Sequence, residues 1–90
     1  MSVLVQFRVH VQDVDRFAAT SRKFEPLFAE MGASNQRILQ SESDPNEVCS
    51  LSEWDSHDQM HESSEKYGDQ FNAEAGTEGL EWETRIWHVL

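Results

Sequence analysis

The sequence predicts one α+β domain, residues 1–90, in which a four-stranded antiparallel sheet carries two helices on one face. Three observations predict it. Apolar residues alternate at period two in the opening stretch, in Val48–Trp54 and in the closing stretch. Two longer stretches repeat them at spacings of three and four. Turn residues separate the segments, so the order is strand, helix, strand, strand, helix, strand.

In the first strand Val3, Val5, Phe7, Val9 and Val11 share one face, and Leu4, Gln6, Arg8, His10 and Gln12 the other. The first face belongs in a core. The second is mixed enough to form either a solvated face or a wet interface with another sheet. Arg8 and His10 would sit there, with carboxylates such as Glu53 or Glu83 as partners.

Asp13 is placed to cap the first helix, and Asp15 complements the dipole of its first turn. Phe17, Ser21, Phe24, Leu27, Phe28 and Met31 form its inward stripe. Pro26 lies inside that pattern, which predicts a kink or split near Phe24–Glu25. Gly32 is placed to close the helix with a left-handed cap.

The second strand, within Ser34–Glu42, is weaker, because Ile38 and Leu39 put apolar surface on both faces, as at a sheet edge. Ser43-Asp44-Pro45-Asn46 is a turn signal, so the next strand returns as a hairpin. In that third strand Val48, Ser50, Ser52 and Trp54 face one way. Two serines on a buried face leave volume unfilled, and a void is costly unless a ligand, water or neighbouring bulk occupies it.

Ser56-His57-Asp58-Gln59 matches a capping box and starts the second helix, which runs to about Ala75. Met60, Ser64, Tyr67 and Phe71 form its stripe, and Gly76-Thr77-Glu78-Gly79 breaks it. Leu80–Leu90 is the last strand, with Trp82 on one face and Trp87 on the other, so neither face is wholly open to water. The resulting βαββαβ order is the split-βαβ, ferredoxin-like arrangement. Right-handed crossovers then make the first and third strands central.

Composition narrows the function. Seventeen acidic residues against seven basic give a net charge of −10, which argues against nucleic acid and against anionic membrane surfaces. The single Cys49 forms no internal disulfide and is expected to be a small buried side chain, which suits a reducing cytoplasm. No export signal and no membrane span are expected.

The element order, together with the segment from Asn46-Glu47-Val48 through Glu53-Trp54-Asp55-Ser56, resembles the dimeric α+β barrel superfamily, and within it the antibiotic biosynthesis monooxygenase-like group. The resemblance implies a homodimer joined through the sheet face, with helices outside and a ligand cleft between sheet and helices in each subunit. It also implies that Trp54 matches the tryptophan ending the third strand. The haem-degrading branch uses a first-strand asparagine and a histidine well along the second helix. Here Gln6 and Phe7 stand near the former position and Ser63 and Ser64 near the latter, so that activity is not implied.

The candidate catalytic residues are His57, His61 and Tyr67; the candidate substrate-binding residues are Trp54, Ser50, Ser52, Phe24 and Met60. One imidazole would take a proton and Tyr67 would orient an oxygen. The buried indole N–H of Trp54 needs an acceptor, which a substrate oxygen could be. Each residue also has a plain reading: Phe24, Met60 and Trp54 as core, the histidines as boundary residues. His57 and His61 have metal-compatible spacing, but no motif fixes a third ligand, so no metal or other cofactor is expected. Two functions fit. One is a cofactor-independent oxygenase acting on a small aromatic or polyketide-like molecule. The other is a non-catalytic homodimer that binds a small apolar or aromatic molecule, or a protein partner, in the same cleft.

Overall fold

In a computed structural model, residues 2–90 are described and six elements follow in the expected order. They are β1 (Val3–His10), α1 (Val14–Glu30), β2 (Ala33–Gln40), β3 (Glu47–Trp54), α2 (His57–Ala75) and β4 (Glu83–His88). The sheet is antiparallel throughout, in the order β2-β3-β1-β4, so the two most apolar strands take the centre. This is the ferredoxin-like α+β fold.

Register explains which side chains meet the helices. Val3, Val5, Phe7 and Val9 of β1 lie opposite Trp54, Ser52, Ser50 and Val48 of β3. These residues share the helix-facing side, and most are buried there. The other face presents Leu4, Gln6 and Arg8 beside Trp87, Arg85 and Glu83 of β4. Among the described residues no helix lies over that face, and Trp87 keeps 49% of its surface exposed.

The caps form as the sequence indicates. Asp13 Oδ1 accepts from Arg16 N at 3.0 Å, and Ser56 Oγ accepts from Gln59 N at 3.2 Å. Gly76 ends α2 at φ +75°, in the left-handed region that favours glycine. The hairpin turn is held by Asp44, whose Oδ1 accepts from Asn46 N at 3.0 Å and whose backbone carbonyl accepts from Glu47 N.

Two expectations are corrected. Pro26 does not split α1, which runs unbroken for 17 residues. The proline is exposed, so the carbonyl it leaves without an N–H partner is on the side where water can reach it. The last strand is also shorter than expected: β4 spans six residues, and every one of them is exposed. It pairs on one edge only, and the helices pack over the other strands. Trp82 therefore precedes the strand and turns inward instead of extending it. Arg8 pairs with Glu83, as expected, but also with Glu47 at 3.7 Å; Glu53 instead accepts from Asn35 Nδ2 at 2.8 Å.

Candidate functional site

Ser50 and Ser52 interrupt the apolar face of β3 between Val48 and Trp54, and the core divides at the same place. On one side, Val3, Val5, Trp54 and Met60 pack with Phe7 and Phe28. On the other, Val9, Val48 and Phe17 pack with Ile38, Phe71 and Trp82. Between the two clusters, under both helices, lies a cavity of about 440 Å³. That is the size of a small-molecule site rather than of a packing defect.

The walls are aromatic. Phe7 meets Trp82 edge-on at 6.0 Å, Trp82 stands 6.1 Å from Phe17, and Phe28 stands 6.4 Å from Trp54, all ring centre to ring centre. All five rings face the cavity. The polar lining is mostly hydroxyl: Ser50 and Ser52 from β3, Ser21 from α1, Ser63 and Ser64 from α2.

Some of these hydroxyls are already engaged. Ser21 Oγ donates to Phe17 O at 2.9 Å, and Ser64 Oγ approaches Met60 Sδ at 3.9 Å. Asn72, also in the lining, accepts from Thr77 Oγ1 at 2.7 Å. Trp54 Nε1 donates to Ser52 Oγ at 2.9 Å, with both residues buried. Ser63 is only 2% exposed, yet it borders the cavity. The charged lining residues are Glu25 and Asp69, both exposed; among the described residues no Lys, Arg or His joins them. The lining is therefore largely apolar with a few hydroxyl groups, and among the described residues it offers no cation to an anionic molecule.

Of the candidate residues, Ser50, Ser52, Trp54 and Met60 border the cavity. Phe24 does not. It is fully buried between the helices, 5.5 Å from Phe71 and 6.3 Å from Tyr67. Tyr67 joins the same cluster, half-buried, with Phe28 at 6.0 Å and Lys66 over its ring at 5.3 Å. It is not among the cavity-lining residues.

The expected placement of His57 and His61 beside the cavity is corrected as well. Both are exposed on the flank of α2, their rings 4.4 Å apart, and neither borders the cavity. The inward face of the helix is taken by Met60 and Ser63, so the imidazoles contact each other and solvent. Among the described residues no group of three or more metal-ligating side chains converges.

The indole N–H finds its acceptor in Ser52, two residues back on the same strand, rather than waiting for a substrate oxygen. Lining residues not anticipated include Ser21, Ser63, Phe7, Phe17, Phe28 and Trp82. A signal was present for the first two. They are small polar residues on the inward faces of helices, the same pattern that marked Ser50 and Ser52 on β3.

No family model and no curated protein matches the sequence. Solved structures do match across nearly the whole chain. SnoaB, a cofactor-independent oxygenase from Streptomyces nogalater, superposes with a TM-score of 0.78 at 18% identity, over 99% of this chain and 93% of that one. An antibiotic biosynthesis monooxygenase candidate from Bordetella bronchiseptica gives 0.83 at 16%, over 99% and 97%. A de novo designed protein, Foldit4, gives 0.71 at 13%, over the full length of both chains. The fold is thus that of the antibiotic biosynthesis monooxygenase-like proteins. Since a designed chain shares it, the fold by itself carries no activity.

Proposed function

We propose that this protein is a cofactor-independent monooxygenase-like enzyme whose cavity takes a small aromatic or polyketide-like substrate. The observation that supports it most is the divided core: a chain that needed only to fold would fill the space that Ser50, Ser52 and Ser63 leave. In such a reaction a doubly activated ring CH₂ loses a proton and the carbanion gives electrons to dioxygen. The balance is RCH₂R + O₂ → RCOR + H₂O. The protein contributes a dry aromatic slot and hydroxyl donors for developing negative charge on oxygen.

His57 or His61 would take the proton, acting from the flank of α2. The position of both histidines outside the cavity favours a second reading, in which the same cavity binds its ligand without reaction. In either reading the outer sheet face, with Leu4, Leu51, Leu39 and Trp87, pairs with a second copy of the chain.

Oxygen uptake with a panel of hydroxylated aromatic ketones that carry a doubly activated ring CH₂ tests the enzyme reading. Uptake by the wild type that is lost in Ser50→Leu supports it. Loss in His57→Ala or His61→Ala would place the base on α2. Binding of the same compounds without uptake would leave the non-catalytic reading.

A further inference from the structure

The hydrogen bond between Trp54 and Ser52 has a direction. An indole N–H only donates, so Ser52 Oγ is the acceptor at 2.9 Å. A hydroxyl that accepts keeps its own proton to give. Ser52 is 7% exposed and Trp54 5%, and both border the cavity, so bulk water has little access to that proton. A buried donor left without an acceptor is costly, and one already polarised by an N–H behind it is a stronger donor than a lone serine.

We infer that Ser52, backed by Trp54, is a specificity-determining residue that donates to a carbonyl or other neutral acceptor oxygen of the bound molecule. The inference rests on reading the cavity as a substrate site and adds the class of substrate. Glu25 and Asp69 sharpen it, because two carboxylates with no cation in the lining disfavour a carboxylate or phosphate as the acceptor. The favoured occupant is an uncharged aromatic ketone rather than a hydrocarbon of the same shape or an aromatic acid.

The test uses three bicyclic probes of one shape: 1-tetralone, tetralin and 1-tetralin-carboxylate. Each is titrated into the full chain and followed by the indole N–H resonances in ¹H–¹⁵N NMR spectra, with Trp54 assigned by its loss in Trp54→Phe. In the wild type 1-tetralone binds about tenfold tighter than tetralin, the worth of one buried hydrogen bond. The carboxylate binds more weakly than the ketone. The Trp54 N–H moves downfield with the ketone, because Ser52 accepts more strongly once it donates. Ser52→Ala brings the ratio of ketone to tetralin affinity to about one, and Ser52→Thr restores the preference.

Equal binding of ketone and hydrocarbon by the wild type would overturn the inference. So would a Ser52→Ala variant that weakens both alike. Either result leaves the cavity standing as a ligand site, whereas failure of all three probes to bind overturns both the inference and the reading beneath it.

Discussion

The Arg16 guanidinium of α1 lies so close to Gly76 at the end of α2 that a Cβ there would stand 3.0 Å from Arg16 Nη1. Arg16 Nε donates to Glu74 O at 2.7 Å and Nη2 to Ala73 O at 2.9 Å. The last turn of α2 carries no basic residue of its own, so α1 supplies the cation that its carbonyl end favours. Gly76→Ala meets both obstacles, the contact and a φ of +75°, and is expected to cost about 1–2 kcal/mol. Arg16→Ala is expected to cost about 1 kcal/mol. Urea unfolding of the two single variants and the double variant checks this. If Arg16 is the obstacle, the double variant costs less than the sum of the singles.

The cavity separates two kinds of core substitution. Ser50 stands between Phe7 and Ile38 in register, with its side chain toward the open volume. Ser50→Leu fills that volume with apolar atoms, so stability should hold or rise by up to about 2 kcal/mol while ligand binding is lost. Phe24→Ala removes a ring packed among Phe28, Tyr67 and Phe71, and should cost about 3–5 kcal/mol. Thermal melts with and without a bound aromatic probe report both quantities.

The strands and helices were legible because each is a local pattern. The Val48–Trp54 alternation, the Ser56 cap and the Gly76 stop need no tertiary partner to be read. The serines of β3 were legible for the same reason, and they lead to the cavity. What failed was reach. Periodicity puts His57 and His61 near the inward stripe of α2, but the extent of the cavity depends on how far α1 and α2 stand apart. That distance is set by Phe24, Phe28 and Phe71 packing across the helix pair. The same packing takes Phe24 away from the cavity and gives Phe17 and Phe28 to it. The length of β4 was illegible because an apolar alternation looks the same whether or not a helix covers it.

Acid should loosen the fold through two surface carboxylates. Asp44 is held below the usual carboxylate range, first by the backbone N–H of Asn46 and then by His10 at 2.8 Å. Glu74 is lowered mainly by its hydrogen bond from Lys23. A carboxyl whose folded pKa is depressed stabilises the fold above its unfolded value and loses that contribution as pH falls through the folded one. The urea midpoint should therefore be level near neutrality and fall as pH drops below about 4. Asp44→Asn and Lys23→Gln should each flatten that fall. A midpoint whose acid decline is unchanged in both variants would assign it to other groups.

The outer sheet face gives the last prediction. Trp87 lies in register with Leu4 there and is half exposed, with Leu51, Leu39 and Cys49 on the same side. A helix-free face of this kind in a 90-residue chain leaves apolar surface that a second copy would cover. Light scattering at micromolar concentration should return twice the monomer mass for the wild type. Trp87→Glu puts a like charge on each side of the contact, in a chain already at −10, and should return the monomer mass. Cys49 supplies a second readout. Burial already pushes its thiol up, which slows its reaction with a thiol reagent, and pairing should shield it further. The reagent should then react faster with Trp87→Glu than with the wild type. A wild type that scatters as a monomer, with a Cys49 rate equal to that of the variant, would leave the sheet face open to water.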